Sequence, residues 1–324
     1  MSETSDALIG LGYTAAWAAA KRLPAGAAYA LADRAADLAM TRRGPAVVQY
    51  ARNLRRVLGP GATPETLYAT TGKGLRSYAR YWLETFRLPV MDKDEVAVRA
   101  LAASTGMHHI AEAVDAGRGV VVALPHSGNW DVAGLMLVHQ QGSLVSVAER
   151  LRPESLYRKF VAYRESLGME ILPLTGGSAP ASSVLKDRLR AGKVVCLLGD
   201  RDLTASGVPV TFFGQQTRMP AGPAMLAALT DSVLVTARLT FLQDGSGRGW
   251  GATVSAPIEL PGTRLAERVR NGTQIIASAF EAGIAEVPHD WHMLQRLWLE
   301  DLPEGHEAAE PAANRPAGGT RAGA

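Results

Sequence analysis

A chain of 324 residues, 47% of them hydrophobic, is long enough to bury a large core and is compatible with one large α/β domain or two small ones. Its 34 basic and 31 acidic residues nearly cancel to a formal net charge of +3, which excludes a nucleic-acid partner spread over the whole surface and makes any basic partner surface local. Cys196 is the single cysteine, so an intrachain disulfide and a cysteine-rich zinc site are excluded; within the apolar run Lys193 to Leu198 it reads as a buried strand residue, with the cytoplasm as the default compartment.

In chain order, Ala7 to Ala20 is uncharged and apolar, but its 14 residues fall short of the ~20 that a spanning helix needs. The acidic leader Met1 to Asp6 argues against a secretory signal, where a positive segment is expected. Pro24 and Pro45 cut the Ala-, Leu- and Arg-rich first 60 residues into short helical pieces, and Arg42, Arg43, Arg52, Arg55 and Arg56 form a basic cluster. Two readings of residues 1–60 stand side by side. One is a helical annex lying in the headgroup layer, with its apolar face inserted and its arginines on anionic lipid. The other is a helical cap on the core with a solvated charged face.

Thr63-Pro64-Glu65 predicts a helix start, with an N-cap residue, proline at the first position and an acid in the first turn, and the helix runs to about Leu88. Tyr78, Tyr81, Trp82 and Phe86 recur along it at helical spacing and read as core. Short β-branched runs then alternate with helical patterns: Gly119 to Leu124, Leu144 to Ala148, Glu170 to Leu174, Lys193 to Leu198 and Ser232 to Leu239. That alternation predicts a single α/β domain over residues 61–302, with a mostly parallel central β-sheet flanked by α-helices. A strand at Gly251 to Ala256 and helices near Thr263 to Ala285 and His289 to Leu299 close the domain. Residues 303–324, rich in Glu, Pro, Ala and Gly, read as a disordered tail.

Ligands of α/β sheets bind at the carboxyl ends of strands, and there the run Val120 to Pro125 leads into His126-Ser127-Gly128-Asn129-Trp130-Asp131. A turn of that length can fold the Asp131 carboxylate back onto the imidazole, leaving the other ring nitrogen to accept a proton from an attacking hydroxyl. With 31 acids and seven histidines in the chain, such a pair also arises readily by chance, so the spacing alone leaves a structural histidine open. No Gly-x-Ser-x-Gly, no phosphate-binding Gly-x-x-x-x-Gly-Lys-Ser/Thr and no Gly-x-Gly-x-x-Gly occurs, which disfavours a covalent serine route and nucleotide use. His108 with His109 and His289 with His292 are the two histidine pairs, and neither is assigned a metal.

His126 to Asp131 resembles the HX4D motif of glycerolipid and lipid A acyltransferases, in the His-x-x-Asn-Trp-Asp/Glu form of the lipid A branch. Val194 to Asp202, with Gly207, Val210 to Gly214 and Gly222-Pro223-Ala224, resembles that branch's second block. The resemblance runs from about Leu101 to Leu299, and within the branch the whole chain is most similar to the phosphatidylinositol mannoside acyltransferase subfamily. The resemblance implies an O-acyltransferase at the cytoplasmic face of the plasma membrane, peripheral on its inner surface. It implies acyl-CoA, typically palmitoyl-CoA, as co-substrate, a phosphatidylinositol mannoside glycolipid as acceptor, and no cofactor or metal.

The resemblance also implies a catalytic set of His126 as base, Asp131 as its partner and Asp200, an acid at the mouth of the sheet. On the substrate side it implies Glu149 near acceptor hydroxyls or organising arginines, Arg164 near the thioester carbonyl and CoA phosphates, and Arg201 and Ser206 in the donor-facing loop. The oxyanion formed on the thioester would be met by Arg164 or by backbone N–H groups of the Gly128 turn. The acyl chain would lie in a groove between the aromatic helix and the sheet. Two other readings remain: the same chemistry on a lipid A-type or other glycolipid or lysophospholipid acceptor, and a catalytically silent lipid-binding protein of the membrane.

Overall fold

The computed structural model describes residues 17–302, apart from 151–152, 178, 203–205 and 245–246. The predicted tail, and the first part of the predicted annex with most of its apolar run, lie outside the described residues. Two helices precede the aromatic one: α1 (Ala25–Arg42) after Pro24, and α2 (Pro45–Leu58) with Pro45 at its first position. They are separated where Arg43 turns into the left-handed region at φ 48°. Helix α3 (Pro64–Arg87) begins as its sequence predicts, with the Thr63 hydroxyl accepting from the Thr66 amide. Ala36, Tyr50, Leu54 and Leu75 join the three helices in a small core, and Ala28 extends the main one, so this region is packed on the domain. Leu31, Leu38 and Val48 nevertheless stay exposed on it. Among the described residues, no helix is long and apolar enough to cross a membrane.

After α4 (Lys93–Ala102) and α5 (His108–Asp115), strands and helices alternate: β1 (Val120–Leu124), α6 (Trp130–Gln141), β2 (Leu144–Ala148), α7 (Glu154–Glu165), β3 (Met169–Pro173), α8 (Ala181–Arg190) and β4 (Val194–Leu198). A hairpin, β5 (Val208–Phe212) and β6 (Gln215–Met219), and helix α9 (Gly222–Thr230) lead to β7 (Val233–Asp244), β8 (Gly247–Val254) and α10 (Leu265–Glu286). The main sheet has the order β3-β2-β4-β1-β7-β8, parallel except for the β7–β8 pair. Strand β1, wholly buried, lies between β4 and β7, as expected for a continuous apolar run in a parallel sheet. Val120, Val122 and Leu124 face one core with residues of α3 to α7, while Val121 and Ala123 face the other with α8, α9 and α10.

Three expectations need correction. The segment His289 to Leu299 is not a helix: short 3-10 turns at Pro288–Asp290 and Leu299–Asp301 flank an extended stretch in which Trp291 bridges Ser127 and Trp298 bridges Thr217. Two fully buried indoles at its ends bind it to the domain more strongly than local helix propensity could. The last strand of the main sheet begins at Gly247 rather than Gly251, and β7 continues past Leu239 to Asp244, because the two pair with each other beyond the reach of β1. The β5–β6 hairpin has no counterpart in the predicted elements. Its turn places Phe213 at φ 49° and Gly214 at φ 73°, and a phenylalanine is an uncommon residue for the first of those positions.

Candidate active site

Parallel pairing decides which side chains meet above the sheet. Leu124 at the end of β1 is in register with Leu198 at the end of β4. His126 and Asp200 each lie two residues beyond that pair and therefore emerge side by side. The imidazole Nδ1 lies 2.6 Å from Asp200 Oδ1, while Oδ2 accepts from the His126 backbone amide at 2.9 Å and from Trp291 Nε1 at 2.9 Å. An ionised carboxylate can only accept, so Nδ1 carries the proton and Nε2 presents its lone pair outward. The histidine side chain is a quarter exposed and the aspartate fully buried, which leaves the ring accessible while its anchor is dry. Burial pushes the Asp200 carboxyl up, but attraction to His126 and the hydrogen bonds from the ring, Trp291 and the amide together bring it below the usual carboxylate range.

The expectation that Asp131 folds onto the imidazole is corrected by this geometry. Asn129 caps α6, its Oδ1 accepting from the amides of Asp131 and Val132 at 3.1 Å each, and this puts Asp131 in the first helical turn. From there its carboxylate points between α3 and α7. Oδ1 accepts from Arg164 Nε at 2.8 Å, and Oδ2 accepts from the Thr85 hydroxyl at 3.1 Å, with the Tyr81 hydroxyl at 3.5 Å. Burial works against the guanidinium charge of Arg164, and Asp131 more than restores it. The motif thus places two carboxylates in two environments, one on the ring and one on the arginine.

A narrow cavity of about 70 Å³ runs from this ion pair into the apolar layer between the sheet and α6. Leu124, Leu198, Leu239, Met136, Ile110 and Met169 are among its walls, and Asp131 and Arg164 are its only charged lining residues among the described residues. This cavity lies under α6 and not against the aromatic helix α3. Trp130 also lines it and stands edge-on to His126, with ring centroids 5.7 Å apart, so the indole links the ring to the cavity. Tyr81 and Phe86 are buried, and Tyr81 supports Trp130 from behind at 3.9 Å. Cys196 lines the same cavity from β4, and burial pushes its thiol up to about 12.

Gly128 shapes the turn. It sits at φ 54°, and a Cβ there would come within 2.8 Å of the Leu239 backbone carbon, so only glycine fits. Its amide donates to the Asp290 carbonyl at 2.9 Å and the Ser127 amide donates to the Pro125 carbonyl at 2.7 Å. These two N–H groups are committed within the protein, which removes them as donors to an oxyanion. Arg164, with only Nε engaged among the described residues, keeps N–H groups available at the cavity wall.

The remaining sequence-predicted residues follow the carboxyl ends of β2 and β4. Glu149, one residue beyond β2, is half-exposed and 3.4 Å from Arg201. Ser206 is exposed on the loop before β5. Among the described residues, no group of three or more His, Cys, Asp and Glu side chains could hold a metal ion.

Sequence reasoning missed the supports behind the motif. Glu84 on α3, fully buried, accepts from Asn129 Nδ2 at 2.9 Å, Trp250 Nε1 at 2.7 Å, Arg80 Nε at 2.7 Å and the Tyr29 hydroxyl at 3.0 Å. Asp290 accepts from the Ser77 hydroxyl at 2.7 Å and the Phe241 amide at 2.8 Å, and Ser77 Oγ is also 2.9 Å from His292 Nε2. The one available signal was an acid amid apolar residues in α3, Leu83-Glu84-Thr85-Phe86.

Residues 3–300 match the family described as bacterial lipid A biosynthesis acyltransferase. A phosphatidylinositol mannoside acyltransferase of Mycobacterium tuberculosis (strain ATCC 25618 / H37Rv) is 46% identical over 298 residues, covering 91% of this chain and 90% of the relative. A protein of the same name from Mycolicibacterium smegmatis (strain ATCC 700084 / mc(2)155) is 46% identical over 300 residues, 92% of this chain and 94% of its own.

Proposed function

The chain belongs to the bacterial lipid A biosynthesis acyltransferase family and is an acyltransferase, and from that premise we propose that it moves a long-chain acyl group, palmitoyl, from acyl-CoA to a mannose hydroxyl of a phosphatidylinositol mannoside. The observation that carries this reading is the His126–Asp200 pair, with Trp130 between its ring and an apolar cavity, in a chain whose relatives are named phosphatidylinositol mannoside acyltransferases. His126 Nε2 takes the proton of the acceptor hydroxyl as that oxygen attacks the thioester carbonyl. Asp200 holds the imidazolium as it forms. The negative charge gathering on the carbonyl oxygen is met by Arg164, whose orientation Asp131 sets. Collapse of the tetrahedral centre breaks the C–S bond and releases CoA thiolate, which takes the proton. No covalent enzyme intermediate and no metal enters this scheme.

The cavity under α6 takes the acyl chain. Arg201, with Glu149 beside it, and Ser206 belong to the rim that meets CoA and the sugar head. The exposed apolar residues of α1 and α2 and the exposed Arg42, Arg43 and Arg52 support a peripheral seat on the inner face of the plasma membrane. The test is transfer of radiolabelled palmitate from palmitoyl-CoA to purified phosphatidylinositol mannoside by wild type and His126→Ala. The variant is expected to lose at least about 10²-fold in kcat, and wild-type activity in it would end the assignment of the base. A second acceptor class follows from the family's description: wild-type turnover on a lipid A-like disaccharide with none on the mannoside would move the acceptor there. Lipid binding without turnover of any thioester would make the protein a carrier.

A further inference from the structure

Asp200 is held by more than the histidine it serves. The segment 290–292 lies against the motif loop as a strap. Gly128 N–H donates to the Asp290 carbonyl at 2.9 Å, His292 N–H donates to the His126 carbonyl at 2.7 Å, and Trp291 forms an antiparallel bridge with Ser127 between them. The Trp291 side chain is fully buried, packed edge-on to Phe212 with centroids 6.0 Å apart and to Trp298 at 6.2 Å. Its indole has no room to turn, and its N–H ends 2.9 Å from Asp200 Oδ2.

We propose that Trp291 is a positioning residue for acyl transfer, its indole N–H fixing the plane of the Asp200 carboxylate so that Oδ1 stays on His126 Nδ1 while the imidazolium forms. The physical case is one of degrees of freedom. A carboxylate held by the imidazole on one oxygen and a backbone amide on the other can still rock about its Cβ–Cγ bond. A second donor on Oδ2, carried by a ring locked in aromatic contacts, removes that motion without drawing on the oxygen that binds the histidine. The strap ties the donor to the loop it serves, so the ring, its carboxylate and the indole move as one body. This inference rests on His126 acting as the base.

The experiment compares Trp291→Phe, Asp200→Asn and the double variant at saturating palmitoyl-CoA and glycolipid, with replacement of Trp291 by benzothienylalanine, which keeps the bicyclic shape and lacks only the N–H. The expected result is a fall in kcat of about tenfold in both position-291 variants, with KM for palmitoyl-CoA unchanged. That fall should vanish in the Asp200→Asn background, because the indole acts through the carboxylate. The proton of the short His126 Nδ1–Asp200 bond, seen by NMR as a far-downfield resonance absent in His126→Ala, should move upfield in the benzothienylalanine protein. Wild-type kcat in that protein, or a loss as large in the Asp200→Asn background as outside it, would overturn the positioning role and leave Trp291 as core. Should His126→Ala itself stay active, the base reading falls, and the inference with it.

Discussion

Replacing Asp131 by asparagine separates the carboxylate that holds Arg164 from the one that holds His126. The substitution is isosteric, and the amide can keep its oxygen toward Arg164 Nε and turn its NH2 toward the hydroxyls of Thr85 and Tyr81, which can reverse and accept. Hydrogen bonds therefore survive and the lost quantity is charge attraction. Breaking a fully buried pair costs about 3–5 kcal/mol. Arg164 keeps 20% of its side chain exposed, so water screens part of the loss and we expect about 2 kcal/mol. That corresponds to a fall in Tm of roughly 3–4 °C at about 2.1 cal/mol/K of unfolding entropy per residue. In initial-rate assays with palmitoyl-CoA, the variant should show raised KM for the donor and a lower kcat, since Arg164 is less well aimed. Asp200→Asn should behave differently, losing at least about 10²-fold in kcat with KM for the donor unchanged, because the carboxylate it removes holds the ring and not the arginine. A rise in KM for palmitoyl-CoA as large in Asp200→Asn as in Asp131→Asn would refute the division between the two carboxylates.

His292 supplies a pH test of stability. Burial, with His126 and His289 nearby, holds its imidazole down to about 3 against an ordinary 6.5. A histidine lowered in the fold contributes full stability above its unfolded value and loses it as pH falls, because only the unfolded chain takes up the proton. Between pH 6.5 and pH 5 the loss is about 2 kcal/mol, and denaturant unfolding at the two pH values should show a flatter slope in His292→Asn; equal slopes would remove His292 as the cause. In the cavity, a side chain at Gly134 would press on Met169, whose Cε would lie 2.3 Å from the new Cβ. Gly134→Leu should therefore lower kcat/KM for palmitoyl-CoA by more than about tenfold while octanoyl-CoA is less affected, at about 1–3 kcal/mol of stability. Equal losses for both donors would argue against the cavity as the acyl site.

Much of the architecture was legible because a parallel sheet writes itself in contiguous apolar runs. Leu144–Ala148 was found to the residue, and β1, β3 and β4 within one. The proline signals at Pro24, Pro45 and Pro64 likewise marked true helix starts. What local pattern could not convey was pairing at a distance. Trp291 and Trp298 look helical by spacing, yet each is placed by a bridge to a residue far away in the chain, Ser127 and Thr217. The β5–β6 turn was hidden for another reason, since Phe213 occupies a backbone region that residue type does not announce.

The partner of His126 could have been read from register rather than from spacing along the chain. Once β1 and β4 are taken as parallel neighbours with Leu124 beside Leu198, equal steps of two residues beyond each strand bring His126 and Asp200 together. The five-residue step from His126 to Asp131 does something else. It crosses the Asn129 cap and enters a helix, and the first turn of that helix faces α3 and α7. There a carboxylate favours the helix N-terminus and meets the arginine at the cavity wall. The HX4D spacing is therefore a statement about a strand, a cap and one helical turn. In the proposed reaction it would couple proton transfer at the ring to donor alignment at Arg164 through the N-terminus of α6, which is why loss of either acid is expected to lower the rate by a different route.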